Sequence, residues 1–408
     1  MQMTKWMTRA LGGAAALALL AAACGDDDDG AAAAPTNESP TDEDQPDSVE
    51  VDEAALQAIL DQWRTDVDAY GATLSLRVPG HDDIHLASGI DDRDPETPMP
   101  TDGTYGVASI TKTFVAAIAL QLVDEGKLSL DEPVEPWLPE LPHADEVTLA
   151  MLLGHTAGLG PWDNGDASIA DLTRSFTPEE LLATQLQTPP AGQPGGRFYY
   201  TNTGYTAAGI LIERVLDQDL ATVIAQRFTE PLALHDTQLD GGSITETRHG
   251  WNELAPDVVI DMLEYPQQAR MTTLFAAGNV TSSSADLLDW GDALYSGEVL
   301  GPDATATMLD MLSPFTLDTA TNHLVATDEP TRLHYGLGAM GFCLDPTGCN
   351  PDEIDVVGHS GTDQGYRTLL AYHPASGTTL AFFANSNDIP LPTLVAPLTD
   401  LYEQLGLT

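Results

Sequence analysis

Apolar positions Val51, Leu56, Ile59, Leu60 and Trp63 recur at helical spacing, and after Gly71 the pattern changes to alternation over Thr73 to Val78 and Asp83 to Ile90. The first stretch predicts a helix over 51–70, the other two a hairpin. Residues 109–123 run through Phe114, Val115, Ile118, Leu120 and Leu122 with hardly a polar face, which predicts a buried helix ending at Gly126. Further helices are expected at 147–153, 178–186, 203–217 and 219–228, in a middle region punctuated by Pro and Gly. Beyond it, 281–296 reads as helix. Val356–His359, Tyr366–Tyr372 and Thr379–Ala384 read as strands, and a closing helix follows over 391–405. Strands near both ends and helices between them imply an α+β fold. In it, one sheet built from both chain ends, over 51–123 and 273–408, is flanked by helices, and 124–272 is an all-helical inserted domain.

The amino terminus reads differently. Lys5 and Arg9 precede an apolar run from Leu11 to Ala23, a charged-then-apolar order expected of an export signal and too short to span a bilayer. The run ends in Leu19-Leu20-Ala21-Ala22-Ala23-Cys24-Gly25. This is similar to the lipobox of a bacterial lipoprotein, which implies residues 1–23 as signal, Cys24 as the lipidated residue and an extracytoplasmic, membrane-anchored location; ordinary secretion with cleavage near Cys24 is the alternative. Residues 24–50 then carry ten acidic residues and no basic one, the composition of a solvated tether. With Cys24 committed to lipid, Cys343 and Cys349 are left as a candidate pair, with Pro346 and Gly348 between them to turn the chain.

Charge narrows the function. The 408 residues carry a formal net charge of -48, and 53 acidic against 13 basic residues lie in 51–408, so the acidity belongs to the folded body. A nucleic-acid partner is excluded on this balance, since binding one relies on Lys and Arg at the phosphates. Lysine is nearly absent: Lys5, Lys112 and Lys127 are all there are. One of them, Lys112, stands inside the most apolar predicted helix, where a charge costs most.

No Gly-x-Ser-x-Gly elbow, no His-Glu-x-x-His and no phosphate-cradling Gly-rich loop with its lysine occurs. What remains is three short features in order. Ser109-x-x-Lys112 at a helix start puts an amine one turn from a hydroxyl, and a serine nucleophile needs such a neighbouring base. Tyr200-Thr201-Asn202 offers a phenol to relay the serine proton and an amide to orient the lysine and the substrate; alone it reads equally as aromatic packing. Gly358-His359-Ser360-Gly361-Thr362 reads as a strand edge able to pair with an extended substrate, with the Thr362 N–H joining that of Ser109 as an oxyanion hole.

Together these residues resemble the penicillin-recognising serine hydrolases: class C β-lactamases, D-alanyl-D-alanine carboxypeptidases of the Streptomyces exocellular type, and related esterases and D-amino-acid peptidases. Leu152-Leu153-Gly154-His155-Thr156-Ala157-Gly158-Leu159 and Gly126-Lys127-Leu128-Ser129-Leu130-Asp131 extend the likeness over about residues 55–405. The resemblance implies a β-lactamase/transpeptidase-like fold, acylation of Ser109 with Lys112 and Tyr200 moving its proton, and substrate contacts from Asn202, His359, Ser360, Gly361 and Thr362. It implies no metal or cofactor, and a small-molecule or peptide substrate such as a D-Ala-D-Ala peptide, ester or β-lactam.

Within that family His359-Ser360-Gly361 replaces the Lys-Thr-Gly usual in β-lactamases, while Tyr335-Gly336-Leu337-Gly338 and Gly358–Tyr366 look most like the carboxypeptidase. The arginines that follow the first of these phrases in the carboxypeptidase are replaced by Ala339-Met340-Gly341, leaving the Ser360 and Thr362 hydroxyls, or Arg332 or Arg367, to hold a substrate carboxylate. Esterase, broad peptidase, class C-like β-lactamase and a slowly acylated penicillin-binding sensor remain as alternatives.

Overall fold

The computed structural model describes residues 51–161, 173–239, 246–255, 258–386 and 389–408; the expected signal, Cys24 and the acidic tether lie outside these residues. Alternation over 71–93 and the apolar runs after 356 do form strands, and they meet in one antiparallel sheet of ten. In spatial order its strands are His323–Ala326, Ser313–Asp318, Leu333–Tyr335, Met340–Phe342, Val356–Asp363, Tyr366–His373, Thr378–Ala384, Gly71–Arg77, Ile84–Arg93 and Glu96–Pro98. The join between chain ends is the pair Gly71–Arg77 and Thr378–Ala384, in register from Ala72 opposite Ala384 to Arg77 opposite Thr379. The expected sheet from both ends is therefore present.

The central strands are buried on both faces, so alternate side chains feed two different cores. Phe382 and Leu369 pack with Leu56, Leu60, Trp63, Leu401 and Tyr402 of the first and last helices, Glu53–Asp66 and Pro397–Gln404. Phe383 and Leu370 point the other way, to Phe114, Leu287 and Trp290 of helices Thr111–Asp124 and Ser284–Tyr295. There the Phe114 and Trp290 rings stack at 3.8 Å, and the indole N–H donates to Thr113 Oγ1 at 2.8 Å. Each such fully buried large side chain contributes roughly 1.5–3 kcal/mol.

Local chemistry sets the helix ends. Asp52 caps the first helix by accepting from the N–H groups of Ala54 and Ala55, and Thr177 with Glu180 forms a capping box on Pro178–Gln185. The closing helix is split into Leu391–Leu394 and Pro397–Gln404, because Pro397 supplies no N–H and is accommodated only in a first turn. Three short strands, Gln238–Leu239, Trp251–Ala255 and Val258–Asp261, lie within 124–272 among helices and long connections, so that segment is not all-helical as expected. They are two to five residues long, too short for a period of two to stand out. The described residues from 51 onward form one compact unit, and no helix among them is long and apolar enough to cross a membrane.

Candidate active site

Ser109 lies in a tight turn, Ala108–Ile110, which leads into helix Thr111–Asp124. Ala108 before it has φ 48, in the left-handed region that a residue with a Cβ seldom occupies. Hydrogen bonds hold the turn in place. Thr368 Oγ1 donates to Val107 O at 2.9 Å, Val107 N–H donates to Val280 O at 2.9 Å, and Val280 N–H donates to Thr111 Oγ1 at 3.0 Å. The strand Val356–Asp363 passes beside the turn at Gly361, where a Cβ would collide with Thr368 Oγ1 and Val107 O. Only glycine lets the third motif come this close to the first.

One helical turn after Ser109, Lys112 is fully buried. Its ammonium donates to Ser109 Oγ at 2.9 Å, Asn202 Oδ1 at 2.9 Å and Ala277 O at 2.6 Å. These three acceptors are a hydroxyl, a side-chain amide and a backbone carbonyl, so at each of them the ammonium is solvated by a dipole. The Tyr200 ring lies 4.9 Å from the Lys112 nitrogen and the Tyr205 ring 5.4 Å. Ser109, Lys112, Tyr200 and Asn202, drawn from segments about 90 residues apart, are thus brought together around the Lys112 nitrogen.

Asn202 opens helix Asn202–Leu216, whose cap Thr201 accepts from the Thr203 N–H. The segment leading into it is stitched to the sheet's edge: Tyr200 N–H donates to Leu324 O at 3.0 Å and Ala326 N–H to Phe198 O at 3.1 Å. His323–Ala326, a strand too short to read from the pattern, therefore fixes the backbone of the second motif.

In the third motif His359 is buried and Thr362 is exposed. His359 Nδ1–H donates to Ser360 O at 2.6 Å and its Nε2 accepts from the Tyr335 hydroxyl at 3.0 Å, which fixes the neutral tautomer. Burial, reinforced by the Lys112 charge, lowers the His359 pKa to about 3. The position occupied by lysine in β-lactamases thus carries no charge. Ser360 Oγ donates to Met340 Sδ at 3.4 Å.

A group whose folded pKa is depressed below its unfolded value of 6.5 binds fewer protons when folded, so its contribution to stability is lost as pH falls from about 6.5 toward 3. The stability advantage of the wild type over His359→Gln is accordingly expected to narrow between pH 7 and pH 4, measured by urea unfolding of both proteins. A constant difference across that range would show that His359 is charged in the folded state.

The two arginines considered as carboxylate partners are committed elsewhere. Arg332 donates to Cys343 O and Thr399 Oγ1, both at 2.9 Å. Arg367 donates to Ile389 O, Asp363 O and Tyr366 O. Cys343 and Cys349 are joined as a disulfide, so although His334 lies beside them their sulfurs are not thiolate ligands.

Residues not singled out in the sequence also build the site. Immediately after Thr362, the buried carboxylate of Asp363 shares the Arg270 guanidinium, at 2.8 Å, with buried Glu246. Burial raises the pKa of both carboxyls against the pull of Arg270, and repulsion from Asp363 adds to the rise at Glu246. Tyr335 holds His359, and the Ala277 carbonyl holds Lys112; a backbone acceptor leaves no trace in residue type.

A family model described as Beta-lactamase matches residues 56–401. Penicillin-binding protein 4 of Amycolatopsis lactamdurans is 28% identical over 371 residues, covering 87% of this chain and 89% of that protein. Esterase EstB of Burkholderia gladioli is 33% identical over 198 residues, 45% of this chain and 50% of the esterase. A D-stereospecific amidohydrolase from Streptomyces sp. superposes with a TM-score of 0.70 at 26% identity, covering 85% of this chain and 98% of that one. D-amino acid amidase from Ochrobactrum anthropi SV3, complexed with D-phenylalanine, gives 0.74 at 24% identity over 87% and 98%.

Proposed function

As this chain belongs to the beta-lactamase family and is a serine hydrolase, we propose that it works through an acyl-enzyme on Ser109, on esters or amides whose leaving group is uncharged. Ser109 Oγ attacks the substrate carbonyl as its proton passes to the Lys112–Tyr200 pair. The N–H groups of Ser109 and Thr362 stabilise the oxyanion. Tyr200 returns the proton to the departing alcohol or amine, and water, activated by the same pair, then releases the acid and restores the Ser109 hydroxyl.

The observation behind the substrate class is the charge of the site. Among the described side chains assigned to it, the cations are Lys112, which donates to Ser109, Asn202 and Ala277, and Arg270, which is paired with Glu246 and Asp363. His359 is neutral, and Arg332 and Arg367 are bound to other groups. A free terminal carboxylate would lie in a strongly negative protein in which each of these described cations is already engaged. Activity as a D-alanyl-D-alanine carboxypeptidase is the second reading, favoured by Tyr335–Gly338, Gly358–Tyr366 and the penicillin-binding relative.

The test is steady-state turnover of a short-chain p-nitrophenyl ester, a D-amino acid amide, a D-Ala-D-Ala peptide and nitrocefin, in low and high salt, with Ser109→Ala as control. The ester or amide is expected to exceed the D-Ala-D-Ala peptide in kcat/KM by at least about tenfold, and the peptide to gain more from salt, which screens its carboxylate. A peptide rate equal to the ester's would move the assignment to the carboxypeptidase, and stoichiometric labelling by penicillin without turnover would make the protein a sensor. We also propose that Cys24 carries the lipid that anchors the enzyme outside the cytoplasm; loss of palmitate labelling in Cys24→Ala is the expected result, and retained labelling would exclude it.

A further inference from the structure

His155 belongs to none of the three motifs, yet the backbone of the second motif is built on it. Its carbonyl accepts from the Tyr199 N–H at 2.9 Å, and its ring Nδ1 accepts from the Thr201 N–H at 3.2 Å. With Leu324 O on the N–H between them, three successive amides around Tyr200 are engaged, two of them by this one residue. The imidazole also packs against the Tyr200 ring, with centroids 4.2 Å apart, and against Phe198, Tyr205 and Tyr335.

Two observations separate this from ordinary packing. Nδ1 can accept an N–H only if it is unprotonated, and the ring is held neutral by burial and by the nearby Lys112 and His359, which push its pKa well below the usual value. The proton therefore sits on Nε2, which is buried without a hydrogen-bond partner among the described residues. A polar ring in this cage leaves one group unsatisfied, which an aliphatic side chain would not do, so what it contributes must come through Nδ1. The second observation is that His155 has φ 57, where its carbonyl and its ring both turn toward 199–201.

On the reading of Ser109, Lys112 and Tyr200 given above, we propose that His155 is a positioning residue. Its neutral Nδ1 fixes the Thr201 amide, and thereby sets Tyr200 and Asn202 against Lys112. The role needs an acceptor three bonds from Cα and a residue tolerant of positive φ. Asparagine offers both, with Oδ1 in place of Nδ1.

The experiment compares full-length wild type, His155→Asn and His155→Ala in three ways: ester kcat and KM, thermal unfolding, and hydrogen exchange at the Thr201 amide. His155→Ala is expected to lose about a hundredfold in kcat with little change in KM and to exchange the Thr201 amide faster. His155→Asn is expected to keep most of kcat and the slow exchange, although it restores none of the imidazole's packing. If the alanine variant does not fold, the asparagine variant decides alone: folded but as slow as a hundredfold loss, it overturns the proposal. Unchanged kcat in His155→Ala also overturns it. Ser109→Ala is run alongside; if it keeps full activity, the assignment of the nucleophile has failed, and the exchange data still report whether His155 holds Thr201.

Discussion

Replacing Lys112 by methionine is expected to lower ester kcat at least about a thousandfold while leaving a folded protein. Methionine approximates the length and volume of the lysine stem, so the packing between the Tyr200 and Tyr205 rings is kept. What is lost is the amine that donates to Ser109 Oγ, together with the donor that ties Asn202 Oδ1 and Ala277 O to the same point. Stability is expected to change less than activity, because removing a fully buried cation relieves its desolvation while leaving three acceptors short of a donor. Lys112→Arg is not expected to rescue the rate: guanidinium keeps its proton at working pH and does not fit a site shaped for one nitrogen with three acceptors. Burst kinetics with a p-nitrophenyl ester, with the mass of acylated Ser109 followed in parallel, measures both steps. Lys112→Met turning over within tenfold of wild type would remove the lysine from the mechanism and leave Tyr200 as base.

The largest stability effect is expected from Arg270→Met. Arg270 lies on the short helix Gln267–Thr272, fully buried, and its guanidinium bridges Glu246 to Asp363 at the end of the third-motif strand. The substitution leaves two buried carboxyls facing each other without a cation, a change that costs about 3–5 kcal/mol. For a folded body of this size that is a fall of roughly 4–7 °C in the unfolding midpoint. Both carboxyls already have raised pKa values, and a raised carboxyl contributes stability below its unfolded pKa that is lost as pH rises through the folded value. Removing Arg270 raises them further, so the deficit of Arg270→Met should be smaller at pH 5 than at pH 8. Thermal unfolding at the two pH values checks this; a deficit independent of pH would mean that the pair is neutral throughout or reached by water. Glu246→Gln in the Arg270→Met background removes one of the opposed carboxyls and is expected to restore part of the loss at pH 8.

How far this could be foreseen differs between elements. Helices such as Thr111–Asp124 and strands such as Thr378–Ala384 are long enough for their period to show, and both lie within a residue or two of where the apolar pattern puts them. The strands of 313–342 are three to six residues long and were not foreseen; pairing with neighbours, not their own pattern, makes them strands. The single helix expected over 391–405 is interrupted before Pro397, whose ring is accommodated only in a first turn.

The sequence by itself brought forward the residues proposed to carry the chemistry, because a serine three positions before a lysine in an apolar helix stands out in a chain where lysine is otherwise nearly absent. It also determined the sheet's origin in both ends of the chain, since hydrophobic period is a local property. Tertiary structure alone decided the charge state of the site. That His359 is neutral, that Arg332 and Arg367 are committed to other acceptors, and that His155 holds the Thr201 amide all depend on burial and on partners between 11 and 67 residues away for the contacts in question. Ionisation and hydrogen bonding are set by what surrounds a group, and residue type alone does not specify those surroundings.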